Sequence, residues 1–168
     1  LMVALDARAA ERPNLTRFDD EAATIDPQDA IVAIGTGKGE HLAARLVIGA
    51  DGRQSPSRQA AGIEVRRRDL HQSALTFNIT RSRSHNSVSA EFHTPQGPCV
   101  FVPLPGNRCS VVWVSSTREA ERLMSLGDEE LSEAAERQSH SIFGRVQVES
   151  GRNVFPLAIE RPAQFASH

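Results

Sequence analysis

One stretch constrains this 168-residue chain more than any other: Leu46-Val47-Ile48-Gly49-Ala50-Asp51-Gly52-Arg53-Gln54-Ser55-Pro56-Ser57-Arg58. Leu46 to Ile48 is apolar without alternation, the pattern of a strand buried on both faces, and such strands belong to sheets with helices on either side. Glycine at 49 and 52 permits positive φ and lets a ligand come close to the backbone. Ser55 suits an N-cap and Pro56 a first helical position, so a short helix is expected from Ser55 to Ala61, stopped by Gly62. Asp51 then stands at the carboxyl edge of a strand, where open α/β sheets bind their ligands. Its carboxylate can accept from a cofactor's sugar hydroxyl or from amides of its own loop. Arg53 and Arg58 bring charge that suits a pyrophosphate. A structural cap at a tight turn is enough to explain an isolated Asp-Gly; the whole string is more specific than that.

On the amino-terminal side, residues 1 to 11 read as a helix with Leu1, Leu5 and Ala9 on one face. Pro13-Asn14 breaks it. Alternation over 22–26 and 30–34 predicts two antiparallel strands, and 41–48 a third. Gly35-Thr36-Gly37-Lys38-Gly39 resembles a phosphate loop in composition, but a strand follows it where such loops need a helix, so it reads as a hairpin turn. Further on, the texture changes. Segments 74–81, 87–94, 99–104 and 109–115 alternate as strands between turns at Asn86, Pro95-Gln96-Gly97-Pro98 and Pro105-Gly106-Asn107, which makes an antiparallel meander. Ser116 and Glu119 have the form of a capping box opening a helix to about Leu126. Asp128 is expected to cap a second helix through about His140, and strands at 145–149 and 153–159 follow. Arg66-Arg67-Arg68 reads as a solvated loop.

Composition narrows the classes. The net charge of -2 gives no general attraction to nucleic acid, and Lys38 is the only lysine among 19 basic residues. No apolar run reaches the ~18 residues of a membrane span, and charges interrupt the first residues too early for a secretory signal. Cys99 and Cys109 lack metal spacing and are expected as free cytosolic thiols, a bridge between neighbouring strands being the other reading. No metal site is expected. His71, His85 and His93 are acid–base candidates by residue type alone, and no serine–histidine–acid or paired-carboxylate set stands out, so no catalytic side chain is assigned.

Gly49-Ala50-Asp51-Gly52-Arg53-Gln54-Ser55-Pro56-Ser57-Arg58 resembles the internal Asp-Gly motif of the single-component FAD-dependent aromatic-ring hydroxylases, the p-hydroxybenzoate hydroxylase-like proteins. Phe92-His93-Thr94-Pro95-Gln96-Gly97-Pro98, Val102-Pro103-Leu104-Pro105-Gly106, Ser110-Val111-Val112-Trp113 and Phe155-Pro156-Leu157 are similar to segments of the branch that hydroxylates 2-polyprenyl-6-methoxyphenols in ubiquinone biosynthesis. The resemblance implies an α+β chain: part of an FAD/NAD(P)-binding Rossmann-type domain over 1–69, an antiparallel substrate sheet with helices on one face over 70–160, and a return to the first domain over 161–168. It implies a bacterial, cytoplasmic flavoprotein monooxygenase using FAD and NAD(P)H, at most peripherally bound to membranes through a lipid-like phenol. Asp51, Gly52, Arg53, Ser55 and Arg58 would face the cofactor; Phe77, Phe92, Phe101 and Trp113 are the large side chains offered to the substrate, or else to the core. The family's amino-terminal Gly-x-Gly-x-x-Gly and its later Gly-Asp motif are not in these residues, so the chain reads as an internal fragment, inactive by itself and weak in FAD binding. A hydroxylase of a small soluble aromatic, a flavin-dependent prenyl reductase, and a non-catalytic sheet module are the other readings.

Overall fold

The computed structural model describes residues 2–167. The chain divides into two compact units, Leu1–Arg66 with Pro162–His168, and Arg67–Arg161.

In the first unit, helix α1 (Met2–Ala10) buries none of its described residues. The expected apolar face is therefore exposed, with Leu5 turned to solvent; Leu1 lies outside the described residues. Strands β1 (Ala22–Pro27), β2 (Val32–Thr36) and β3 (His41–Ala44) form an antiparallel three-stranded sheet. The glycine turn joins β2 to β3 as a hairpin loop, closed by Gly39 N donating to Thr36 O at 3.0 Å. The third strand ends at Ala44, four residues before the expected Ile48. Leu46 and Ile48 are 75% and 81% exposed, which overturns the reading of a strand buried on both faces. An unbroken apolar run states a preference for burial, and among the described residues no strand pairs with 46–48 to satisfy it.

The second unit carries the core. A long strand β4 (Val65–Arg81) begins in the last residues of the first unit and runs on into the second. It is followed by β5 (Ala90–Thr94), β6 (Gly97–Leu104), β7 (Arg108–Ser116), helices α3 (Thr117–Ser125) and α4 (Asp128–Gln138), β8 (Val146–Val148) and β9 (Asn153–Pro162). The sheet order is β5-β6-β7-β4-β8, with β9 also pairing to β4. Alternation puts Leu75, Phe77 and Ile79 of β4 on one face beside Phe101 of β6 and Val111 of β7, and Leu123 of α3 and Leu131 and Ala135 of α4 close over them. The helices thus cover one face of the sheet.

Three local expectations are corrected. Arg66 to Arg68 lie in β4 and not in a loop, and a partner distant in sequence meets them there: Arg67 bonds Glu160 at 3.0 Å, besides its neighbour Asp69 at 3.0 Å. Ser116 caps α3 by accepting from Glu119 N at 3.3 Å, but the Glu119 carboxylate closes on Arg122 instead of reaching back. The N-cap of α4 is Gly127, one residue before Asp128, and it is Glu130 that accepts from Gly127 N. The two cysteines are free and fully buried. Cys99 pairs in register with Trp113 and Cys109 with Pro103, a ladder offset of about 13 Å, well beyond the ~7 Å that a bridge can span. Burial pushes the Cys99 thiol up to about 12.

Candidate functional site

Past β3 the chain bends at Arg45, runs irregularly to Gly52, turns at Arg53–Gln54, and enters helix α2 (Pro56–Ala60) with Ser55 as its N-cap. Ser55 is buried, and its hydroxyl accepts from Arg58 N at 3.0 Å, the bond expected of a serine at that position. Asp51 supplies a second cap. Its Oδ2 accepts from Ser57 N at 2.9 Å and from Ser57 Oγ at 2.5 Å. The Ser55 hydroxyl first, and then the Ser57 hydroxyl and amide, hold the Asp51 carboxyl well below the ordinary carboxylate range. The carboxylate is therefore a fixed anion that ties the loop to the helix start.

The glycines have separate tasks. Gly52 adopts φ +83, a left-handed conformation, with open space where a Cβ would stand. At Gly49 a Cβ would lie 2.3 Å from Ser57 Oγ, so this glycine is what lets the chain pass the Asp51–Ser57 pair. Arg58 is half-buried and donates from Nη2 to Arg53 O at 2.8 Å, closing the turn from the other side. Arg53 itself is exposed. Ser57, which donates twice to Asp51, is a further residue of the loop; a serine two residues after a serine N-cap, in reach of an acidic residue, is the signal that points to it.

This segment forms one wall of a cleft of about 830 Å³ inside the first unit, which Ile25, Ile31, Val32 and Ile63 also line. The cleft holds all five residues expected at the cofactor except Arg53. The arrangement offers an apolar floor, a glycine with nothing above it and the half-buried Arg58 guanidinium. A ligand with an apolar body and an anionic group fits such a set. A phosphate would keep away from Asp51, whose negative charge orients the loop and would repel it.

The four aromatic candidates are gathered elsewhere. Phe77, Phe101 and Trp113 are buried in the core under the helices, and half-buried Phe92 packs against them with its ring 5.8 Å from that of Phe101. All four lie on the helix-covered face, which leaves them to packing. The opposite face of the same strands carries Thr76 and Asn78 of β4, Val100 and Val102 of β6, and Val112 and Val114 of β7. Of the histidines, His85 is tied down: Nδ1 accepts from Ser87 N at 2.9 Å, so Nε2 donates to Leu104 O at 3.1 Å. His93 is exposed beside Glu91, and His71 sits at φ 56 within β4. Among the described residues no group of three or more His, Cys, Asp or Glu is arranged to hold a metal, and no helix is long and apolar enough to cross a membrane.

Residues 2–158 match the model of a family described as FAD binding domain. The chain is 33% identical over 130 residues to the ubiquinone hydroxylase UbiL of Rhodospirillum rubrum, which covers 77% of this chain and 30% of that protein. It is 32% identical over 127 residues to the 3-demethoxyubiquinol 3-hydroxylase of Escherichia coli, covering 76% of this chain and 32% of that one. In fold it is similar to the p-nitrophenol 4-monooxygenase PnpA of Pseudomonas putida, with a TM-score of 0.72 at 18% identity over 98% of this chain and 43% of PnpA. The chain spans about a third of the length of these two curated relatives.

Proposed function

The chain belongs to the FAD binding domain family, and from that premise we propose that it is the middle part of an FAD-dependent, NAD(P)H-using monooxygenase that hydroxylates the ring of a polyprenyl phenol in ubiquinone biosynthesis. The observation that carries the reading is the Asp51–Ser57 clasp, a loop built to stand open at Gly52 over an apolar cleft. In this reading Gly52 and the Arg58 guanidinium meet the polar part of FAD, Arg53 adds charge at the rim, and Asp51 and Ser55 hold the loop for them. The bound flavin would supply the activation of O₂. The protein's share is to position the phenol and keep water away.

The substrate wall, in the same proposal, is the sheet face opposite the helices, where Val100, Val102, Val112 and Val114 present an apolar surface interrupted by Thr76 and Asn78. A prenyl chain suits the valines, and Asn78 or Thr76 can bond a ring substituent. Any membrane association is peripheral and follows from that lipid-like substrate. The test is to supply a longer polypeptide containing this sequence with FAD, NAD(P)H, O₂ and candidate phenols. The proposal expects NAD(P)H oxidation that depends on a polyprenyl phenol, with a product one oxygen atom heavier. Oxidation that is indifferent to every phenol, or a product without added oxygen, contradicts it.

A further inference from the structure

The sheet face opposite the helices changes character along its strands, and the change is ordered in rows. Ala74 of β4 stands opposite Val114 of β7; in the next row Thr76 stands opposite Val112, and Val112 opposite Val100 of β6. One row further, Asn78 stands opposite Ser110 and Ser110 opposite Val102, and beyond them come Thr80 and Arg108. The face thus passes from apolar to polar over six residues of strand, or about 20 Å. Its polar end is closed. Arg108 reaches across β4 to Glu149, just past β8, and grips it with Nε at 2.7 Å and Nη2 at 2.5 Å. Glu149 N donates to Asn78 O at 2.8 Å, which fixes the acid beside that row. The Arg108 fork holds the Glu149 carboxyl below the ordinary carboxylate range, so the two side chains form a fixed ridge without net charge.

Asn78 and Ser110 are the polar groups left over on the apolar side of that ridge. Both are half-buried. Neither side chain forms a hydrogen bond among the described residues, and neither has its polar atoms sealed from solvent. Thr76, by contrast, already donates to Asn153 O at 3.5 Å. Residues directly opposite on antiparallel strands set their Cβ atoms about 4.5–5.5 Å apart, so the amide and the hydroxyl can converge on two neighbouring oxygens of one ring. The amide offers both a donor and an acceptor, and the hydroxyl serves as either. A phenol hydroxyl likewise donates and accepts, whereas an ether oxygen beside it only accepts.

Resting on the reading that this face takes the phenol, we propose that Asn78 and Ser110 determine specificity by gripping two adjacent oxygens of the substrate ring, a hydroxyl beside a methoxy group. The Arg108–Glu149 ridge is then the end stop, and the prenyl chain runs back over Val112 and Val114. The test is equilibrium dialysis of a longer polypeptide containing this sequence, loaded with FAD and without NAD(P)H. Its probes are two phenols with the same short prenyl chain, a 2-prenyl-6-methoxyphenol and the 2-prenylphenol that lacks the methoxy group. The wild type should bind the methoxy compound about fivefold more tightly, the net contribution of one hydrogen bond. Asn78→Leu combined with Ser110→Ala should bring the two affinities to parity. The ratio is measured within each variant, so a smaller folded fraction does not imitate that result. Val114→Thr, which touches the chain and not the ring, should weaken both phenols and keep the ratio. A double variant that retains the preference, or a wild type that shows none, overturns the proposal. Failure of the underlying reading looks different: the phenols bind with the expected preference, and neither is hydroxylated once NAD(P)H and O₂ are added.

Discussion

The two units treat their apolar residues in opposite ways. Every buried hydrophobic residue among those described lies between Ala74 and Val148, in the second unit. The first unit instead exposes Met2, Val3, Leu5, Leu46 and Ile48, and its buried side chains among the described residues are polar ones, Thr36 and Ser55. One unit is a sheet with its own helix-covered core; the other is held by backbone pairing and by the clasp at Asp51. The chemistry of the proposed cofactor site thus rests on the less densely packed unit, where local hydrogen bonds decide the shape of the loop.

The largest effect that could break this contrast is a core truncation. Leu75→Ala, at a fully buried position, should cost about 2–5 kcal/mol in urea unfolding. Ile34→Ala in half-buried β2 should cost ~1 kcal/mol or less, since little apolar surface is lost there. Equal costs would erase the distinction between the units. Next in size is Gly49→Ala, whose Cβ must displace Ser57. It should cost about 1–3 kcal/mol and remove the protection of the Ser57 amide from hydrogen exchange. Unchanged protection would show that the passage at Gly49 does not matter.

The smallest effect is a titration. Asp51 has its carboxyl lowered in the folded chain, so the stability it adds is present above the unfolded value of ~3.9 and is lost only as pH falls through the lower folded value. Nuclear magnetic resonance should therefore find Asp51 still ionised at a pH where ordinary aspartates are half protonated. Ser57→Ala should move its midpoint upward. A wild-type midpoint in the ordinary range would mean that the clasp is not formed in solution.

Much of the second unit was legible because alternation and turns agree: Leu75, Phe77 and Ile79 skip in step, and Pro95-Gln96-Gly97 marks the turn between β5 and β6. What alternation could not say is which face the helices would cover, and that decides whether Phe101 and Trp113 meet a ligand or the core. The Arg66–Arg68 strand was hidden for a related reason, since its partner Glu160 lies 93 residues from Arg67 in sequence. In the first unit the helix cap at Ser55 was plain from local chemistry. The fate of Leu46–Ile48 was not, because burial of a strand depends on neighbours that its own residues do not name.

The account turns on the Asp51 loop being one part of a flavin site that needs more of the polypeptide to close. The most direct test is to purify the 168-residue chain and a longer polypeptide containing it, add FAD to each, and measure the flavin retained after gel filtration. The account predicts stoichiometric flavin on the longer polypeptide, lost on Gly49→Ala, and little or none on the chain alone. A chain that keeps stoichiometric flavin by itself, or a longer polypeptide that keeps none, would contradict it.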